Sequence, residues 1–558
     1  MITFSADPQL AERQMHAIIF YLTTFGYIDG DFDNSEREFI RRYIRQLVTH
    51  RVLTGAADAS KDLQIELTAK YTKHFGEVFA EVDRHVKDLF TEAVAEGEEQ
   101  DKFVHAKLKV RCFEFFESFD KEGQEALMEC INELMMADGN AHPAEIKFRA
   151  ELSELLEAEL DVKLIEEDRI HPVNVSNAVE MNLTAPSHPF FDQFEYHYSR
   201  DPEKMSQQVA SDLALVRKAI DQLKQQKQLG HGKLSGKQKV SEFEDTEFLD
   251  QHVYLVAPQK HDYELLVLGD LHGCYSCLKA AVNQSQFFEK LEAFRKDPEQ
   301  HLEPKLVFLG DYIDRGMFSL NGVLRAVLEM YLHAPEHVYV LRGNHEYFLE
   351  YQGQVYGGVK PSETINSLKP HLPTEVFRQY IELFENLPNM LFFEGMLFVH
   401  GGIARDATLK EKYKDLSSLN DPDIRFEMMW SDPSVAEVIP AELQKQSARF
   451  AFGRSQAAFF LKRVGCHSLV RGHEKIEEGF RAFEDESIAL FTLFSAGGCN
   501  NRDLPENSGY RSVTPMAMTV TYRQGELSIR PWKIDYESFN TPERNAFFKS
   551  PPEINHLS

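Results

Sequence analysis

Cysteine is scarce in this 558-residue chain. Its six cysteines, Cys112, Cys130, Cys274, Cys277, Cys466 and Cys499, are too scattered to form a disulfide framework. Long apolar runs are absent: none approaches the ~20 residues that a membrane-spanning helix requires. Basic residues are also in deficit, with 61 Lys and Arg against 89 Asp and Glu, a formal net charge of −28. That balance argues against a nucleic-acid backbone or an anionic membrane as partner, and its simplest meaning is solubility. Positive charge in any functional site must then come mainly from metals and a few local arginines. Asp7, Glu12 and Arg13 stand where a secretory signal would be apolar, so a reducing cytoplasm is the expected compartment. With 43% hydrophobic and 27% charged residues, the chain is globular and long enough for two or three domains.

The informative stretch runs from Leu265 to Glu346. Three short apolar runs, Leu265–Leu268, Leu306–Leu309 and Val338–Leu341, read as buried strands. Each leads into a glycine-bearing loop: Gly269-Asp270-Leu271-His272-Gly273, then Gly310-Asp311-Tyr312-Ile313-Asp314-Arg315-Gly316, then Gly343-Asn344-His345-Glu346. Two later runs end in histidine, at His400-Gly401-Gly402 and at Arg471-Gly472-His473-Glu474. A single such loop is an ordinary glycine turn with a capping Asp. Five in order are not, and they supply carboxylate, imidazole and amide donors of the kind that suit Mn, Fe or Zn. Open α/β sheets bind ligands beyond the carboxyl ends of their strands, where these loops fall.

The order GDxHG, GDxxDRG, GNHE, HGG and RxH resembles the phosphoprotein phosphatase family of metallophosphoesterases. Trp430-Ser431-Asp432-Pro433 and Phe450-Ala451-Phe452-Gly453 strengthen the likeness to its protein serine/threonine phosphatases. The resemblance covers about residues 255–535. It implies an α/β calcineurin-like domain, a β-sandwich of mixed sheets flanked by helices. It also implies two divalent metals, one held by Asp270, His272 and Asp311, the other by Asp311, Asn344, His400 and His473. The usual metal in vitro is Mn for bacterial relatives, and Fe/Zn is common in eukaryotic ones. Two cations roughly 3.5–4 Å apart need a shared anionic ligand, and together they ionise a bridging water for in-line attack on phosphorus. The resemblance also implies that His345 is the general acid and Asp314 its orienting partner. It implies Arg315 and Asn344 as phosphate-binding residues. The family's second phosphate-binding Arg is not at its usual spacing; Gln446 stands there, and Arg449 is the candidate. The late loop Ser495–Asn500 lacks the family's tyrosine, which implies a more open site.

Residues 1–165 read as an all-α N-terminal domain, with apolar residues at helical spacing in Ile18–Phe25, Phe39–Leu47 and Leu127–Met135. The stretch from Ile28 to Glu36 is echoed from Ala137 to Glu145: a helix exits at Asp-Gly, a polar loop follows, and Glu opens the next helix. The pair resembles the TerB-like helical domain, which implies a metal site at Asp29, Asp31, Glu36, Asp138 and Glu145. A calcium EF-hand fails on spacing, because Asn34 and Ile40 replace its sixth-position Gly and twelfth-position Glu. Capping of two helix–loop–helix turns explains the same acidic residues equally well.

Residues 166–250 read as a linker with a helix from Ser211 to Lys227, followed by a mobile basic stretch from Gln228 to Lys239. Residues 251–535 form the catalytic domain and 536–558 an irregular tail. Helices are predicted at Phe318–Leu332, Tyr347–Tyr356 and Glu375–Phe384, and a hairpin at 516–533 around Gln524-Gly525. Cys274 and Cys277 open a helix as small buried thiols. Three functions fit: a phosphatase of phosphoserine or phosphothreonine in proteins, a hydrolase of dinucleoside polyphosphates or other small phosphoesters, and an inactive scaffold. The expected partners are a phosphoprotein or phosphopeptide substrate and a regulatory protein on the helical domain.

Overall fold

Apolar spacing of 3.6 residues dominates the first third of the chain, and unbroken apolar runs dominate the rest. The computed structural model divides accordingly into a helical unit and a mixed α/β unit. It describes residues 8–554 apart from 29–31, 58, 118, 120, 137–142, 158–173, 181–186, 258–260 and 485–487.

The first unit comprises Met1–Lys163 together with Ser434–Arg454. Its helices are α1 (Pro8–Gly26), α2 (Asn34–Gly55), α3 (Lys61–Leu89), α4 (Gln100–Glu117), α5 (Lys121–Met135) and α6 (Pro143–Glu157). On α1 the spacing of Ile18, Ile19, Leu22 and Phe25 puts all four on one face, and all four are buried. They meet Ile40 and Ile44 of α2, Phe79 of α3, Phe113 of α4 and Ile131 of α5 in one core. A capping box starts α2: Asp33 Oδ1 accepts from Glu36 N at 2.8 Å, and Glu36 Oε2 accepts from Asp33 N at 3.0 Å. Pro143 opens α6, where its missing N–H costs nothing. The late segment joins this core through Ala436, Ile439 and Leu443, and Ser434 Oγ donates to Glu114 Oε1 at 2.5 Å. This segment thus departs from the unbroken 251–535 domain expected from the sequence. Its apolar side chains are instead buried against helices 300 residues earlier in the chain.

The second unit spans Leu164–Pro433 and Ser455–Ser558. In chain order its strands are β1 (Asn174–Val175), β2 (Val179–Glu180), β3 (Thr246–Asp250), β4 (Val253–Ala257), β5 (Tyr263–Leu268), β6 (Glu303–Phe308), β7 (Val338–Val340), β8 (Phe348–Tyr351), β9 (Gln354–Gly357), β10 (Met390–Phe393), β11 (Met396–Val399), β12 (Ser468–Arg471), β13 (Phe480–Glu484), β14 (Ala489–Leu493), β15 (Met516–Arg523) and β16 (Glu526–Lys533). Two seven-stranded mixed sheets result. One runs β13-β14-β12-β11-β10-β4-β3; the other runs β1-β16-β15-β5-β6-β7, with β2 also beside β16. Strands β5, β6 and β7 are parallel neighbours, as are β11, β12 and β14. Every residue of β6, β11 and β12 is buried, which explains why the apolar runs Leu306–Phe308, Met396–Val399 and Leu469–Val470 within them are continuous rather than alternating. Both sheets contribute to one core, with Val267, Phe308 and Val340 beside Phe398, Val470 and Phe491.

Three local expectations change. The segment Tyr347–Tyr356 forms the hairpin β8–β9 rather than a helix. Gln352 (φ 51°) and Gly353 (φ 74°) take the left-handed conformation that a tight two-residue turn requires, and Phe348 and Val355 are buried while their neighbours face out. The helix expected at Ser211–Lys227 is α7 (Pro202–Gly230), capped by Asp201, which accepts from Lys204 N at 2.9 Å. Its Val216, Ala219, Ile220 and Leu223 lie in the core, so this stretch is part of the unit and not a tether. The basic stretch after it is folded too: Leu234 is buried, and Asp250 accepts from the N–H groups of Gly232 and Leu234. Even the tail contributes, with Phe547 stacked on Phe318 at 4.5 Å.

Asp212 on α7 holds Arg325 of α10 (Arg325–His333; between these lie α8, Tyr275–Ser285, and α9, Phe287–Lys296) through a two-pronged buried ion pair at 2.8 and 2.9 Å. Removing one partner strands the other charge, so Asp212→Ala is expected to destabilise the second unit by about 3–5 kcal/mol. Calorimetric unfolding of the full chain checks this; an unshifted transition would refute it.

Candidate metal centre

The five glycine loops leave β5, β6, β7, β11 and β12, all at carboxyl ends of parallel strands. They meet at one place. The structure brings together Asp270, His272, Asp311, Asn344, His345, His400 and His473, all of them buried. Close backbone approach makes this possible. Gly310 has φ +108°, and a Cβ there would run into Gly343 N; a Cβ on Gly472 would run into the Asp270 carboxylate. His272, Asp311, Asp314, Arg315 and His473 also lie at positive φ, between 41° and 69°. Such conformations cost of order 1–3 kcal/mol each and persist only where the surroundings over-determine them.

Glu346 is the clamp between the second and third loops. Its carboxylate accepts from Asp311 N (2.7 Å), Tyr312 N (2.9 Å) and Gly343 N (2.9 Å). Burial, then the neighbouring Asp311 charge, push its carboxyl up to about 8. Arg471 is a second tie: fully buried, it donates to Gly401 O and pairs with Asp432 at 2.7 Å.

The donor atoms converge in an unusual way. His272 Nδ1 donates to Ile313 O at 2.9 Å, leaving Nε2 to face Asp311 Oδ2 at 3.4 Å and Asp270 Oδ2 at 3.7 Å. His400 Nδ1 donates to Leu309 O at 3.1 Å, so its Nε2 points a lone pair at Asn344 Oδ1, 2.8 Å away, and at Asp311 Oδ2, 3.4 Å away. His473 Nδ1 lies 3.0 Å from the same Asn344 oxygen. Burial lowers the pKa of His272 and His400, keeping both imidazoles neutral. A neutral imidazole donates through one nitrogen only, so acceptor faces acceptor on both sides of Asp311. A cation between them removes that repulsion, and the mixed O/N set fits a divalent transition metal. Two groups able to hold an ion, His272/Asp311/His345 and Asp311/His400/His473, share Asp311.

At the edge of the first group His345 Nδ1 donates to Asp314 Oδ2 at 2.7 Å, and Thr364 N donates to Asp314 Oδ1 at 2.9 Å. Arg315 pairs with Glu363 at 2.7 Å. Glu363 and Thr364 open α11 (Glu363–Leu368), so one helix start fixes both Asp314 and Arg315. Arg449 lies in the helical unit and pairs with Glu92 at 3.2 Å. Of the residues expected to form a second metal site, Asp29, Asp31 and Asp138 lie outside the described residues; Glu36 serves the capping box and Glu145 is buried in the first turn of α6.

The sequence reading missed Tyr510. Its ring lies 5.3 Å from that of His272 and 5.2 Å from that of Phe494, and burial raises the pKa of its phenol, keeping it protonated. The site is therefore not left open by the loop that lacks a tyrosine. Tyr510 is the only aromatic between Phe494 and Met516, the one signal that would have marked it.

Burial pushes the Asp270 carboxyl up to about 7 in the metal-free chain. Asp270 and Glu346 thus hold protons in the folded state that the unfolded chain releases near pH 4. Their contribution is present at low pH and lost as pH rises through about 7 to 8. The chelator-treated protein is expected to melt lower at pH 8 than at pH 5, and Mn²⁺ to raise its melting point more at pH 8 than at pH 6. An equal lift at both pH values would contradict this.

Comparison with known proteins agrees with the geometry. Residues 263–476 match the family described as calcineurin-like phosphoesterase. A "probable serine/threonine-protein phosphatase" of Encephalitozoon cuniculi is 28% identical over 237 residues, 42% of this chain and 47% of that protein. The serine/threonine-protein phosphatase 4 catalytic subunit of Eremothecium gossypii is 28% identical over 239 residues, 42% of this chain and 69% of that one. The chain thus spans about half the length of the first relative. A solved protein serine/threonine phosphatase from Saccharomyces cerevisiae aligns with 58% of this chain and 89% of its own, at 18% identity and a TM-score of 0.37. Residues 263–476 are a calcineurin-like metallophosphoesterase domain with serine/threonine phosphatases among its relatives.

Proposed function

We propose that the chain is a dinuclear metal-dependent phosphomonoesterase acting on phosphoserine and phosphothreonine in proteins. The observation that carries this reading is the pair of acceptor-lined pockets sharing Asp311, with His345–Asp314 beside them. Asp270, His272 and Asp311 would hold one cation, and Asp311, Asn344, His400 and His473 the other, with Mn, Fe or Zn as candidates. When bound, such cations supply Lewis acidity and bring the ionisation of water near neutral pH.

The chain's own residues do the rest. Arg315 presents a planar fork to phosphoryl oxygens, and Glu363 holds one of its nitrogens in place. His345 gives its Nε2 proton to the leaving oxygen. Asp314 keeps the opposite nitrogen protonated and balances the imidazolium charge. The Tyr510 hydroxyl, held protonated, is a further donor at the rim. The buried walls, including Phe494 and Trp430, exclude bulk water and strengthen each of these interactions. Phosphoprotein specificity is supported by the names of the relatives and by the Trp430–Pro433 stretch. The helical unit, TerB-like in its repeated Asp-Gly sequence, serves in this reading as a docking or regulatory module.

With Mn²⁺ supplied, a phosphoserine peptide is expected to be hydrolysed faster than a dinucleoside polyphosphate at equal concentration. The reverse order would move the chain to the small-phosphoester hydrolases. His345→Asn should lower kcat on the peptide by about 10²–10⁴ while metal content stays unchanged. Unchanged turnover would remove His345 from the mechanism.

A further inference from the structure

The helical unit carries a second cluster of metal-ligating side chains, far in sequence from the glycine loops. Glu12 and His16 stand four residues apart on α1, which puts them on one face, one turn from each other. His74 of α3 comes up against them, with its Nε2 3.3 Å from Glu12 Oε1. The rings of His16 and His74 lie 6.3 Å apart at an angle of 41°. One ligand atom from each of the three residues falls within 4.8 Å of the other two. Phe75 borders the cluster: its ring is 4.9 Å from that of His74 and 6.0 Å from that of His16, which limits how far either imidazole can swing.

We propose that Glu12, His16 and His74 form a zinc site that fastens α1 to α3. Two imidazoles and one carboxylate are a common three-residue donor set for Zn²⁺, with bonds of about 2.0–2.2 Å and a fourth position left for water. The spacing of four residues between Glu12 and His16 lets one helix supply two ligands to a single ion, and His74 closes the set from its neighbour. The three ligand atoms already lie within 4.8 Å of one another, close enough to converge on a single ion. The site uses none of Asp29, Asp31, Glu36, Asp138 and Glu145, and it owes nothing to the phosphatase chemistry. Its effect is on stability: a cation bound only by the folded unit stabilises that unit by mass action, even with its fourth position open to water.

The test uses the full chain. Protein stripped with a chelator is equilibrated with Zn²⁺, desalted, and its metal counted by mass spectrometry; thermal unfolding is followed with and without Zn²⁺. His74→Gln, at an exposed position, is compared with wild type, and Glu12→Gln serves as a second variant in case the first is poorly folded. Wild type is expected to retain about one zinc more per chain than either variant. The variants should lose the zinc-dependent rise in the melting of the helical unit while hydrolysing phosphopeptide at the wild-type rate. Equal zinc content in wild type and both variants, or an equal zinc-dependent rise, would overturn the proposal.

Discussion

The chain's design rests on one electrostatic constraint: lone pairs that face lone pairs in a buried place. His272 and His400 each spend their single N–H on a backbone carbonyl, Ile313 O and Leu309 O, and so turn an unprotonated nitrogen toward Asp311 and Asn344. Left alone, that arrangement is repulsive and poorly solvated. In the proposed function divalent cations would convert it into a set of bonds. The backbone carbonyls that fix the two tautomers thus aim the donor atoms that would hold the cations.

Holding the arrangement in place requires much of the second unit. Parallel strands β5, β6 and β7 deliver three of the loops side by side, and β11 and β12 deliver two more from the other sheet. Five residues of the site sit at positive φ without being glycine. That strain is offset by the core on which the strands rest, by the three N–H groups collected on Glu346, and by Arg471 spanning Gly401 and Asp432. Stability and chemistry are therefore linked through the same loops, and divalent cations are expected to be part of the folded state's stability as well as of its catalysis.

Much of this was legible in the sequence because the information is local. A buried strand followed by a glycine loop bearing Asp, His or Asn can be recognised in ten residues, and five of them in order define the fold around them. What escaped notice was non-local. Nothing in Ala436, Ile439 or Leu443 announces that they pack with helices from the beginning of the chain. Tyr510 lies in a polar loop with no strand before it, and only the three-dimensional path carries it to His272. The hairpin at Phe348–Gly357 shares its apolar spacing with a helix; the left-handed Gln352-Gly353 pair decides between the two. Arg449, the sequence's candidate for a second phosphate-binding arginine, pairs with Glu92.

The most direct measurement is anomalous diffraction from crystals of the full chain grown with Mn²⁺ and phosphate. The account predicts two anomalous peaks flanking the Asp311 carboxylate, one against Asp270 and His272 and the other against Asn344, His400 and His473, with phosphate between them and Arg315. A single peak, or none within bonding distance of Asp311, would contradict it.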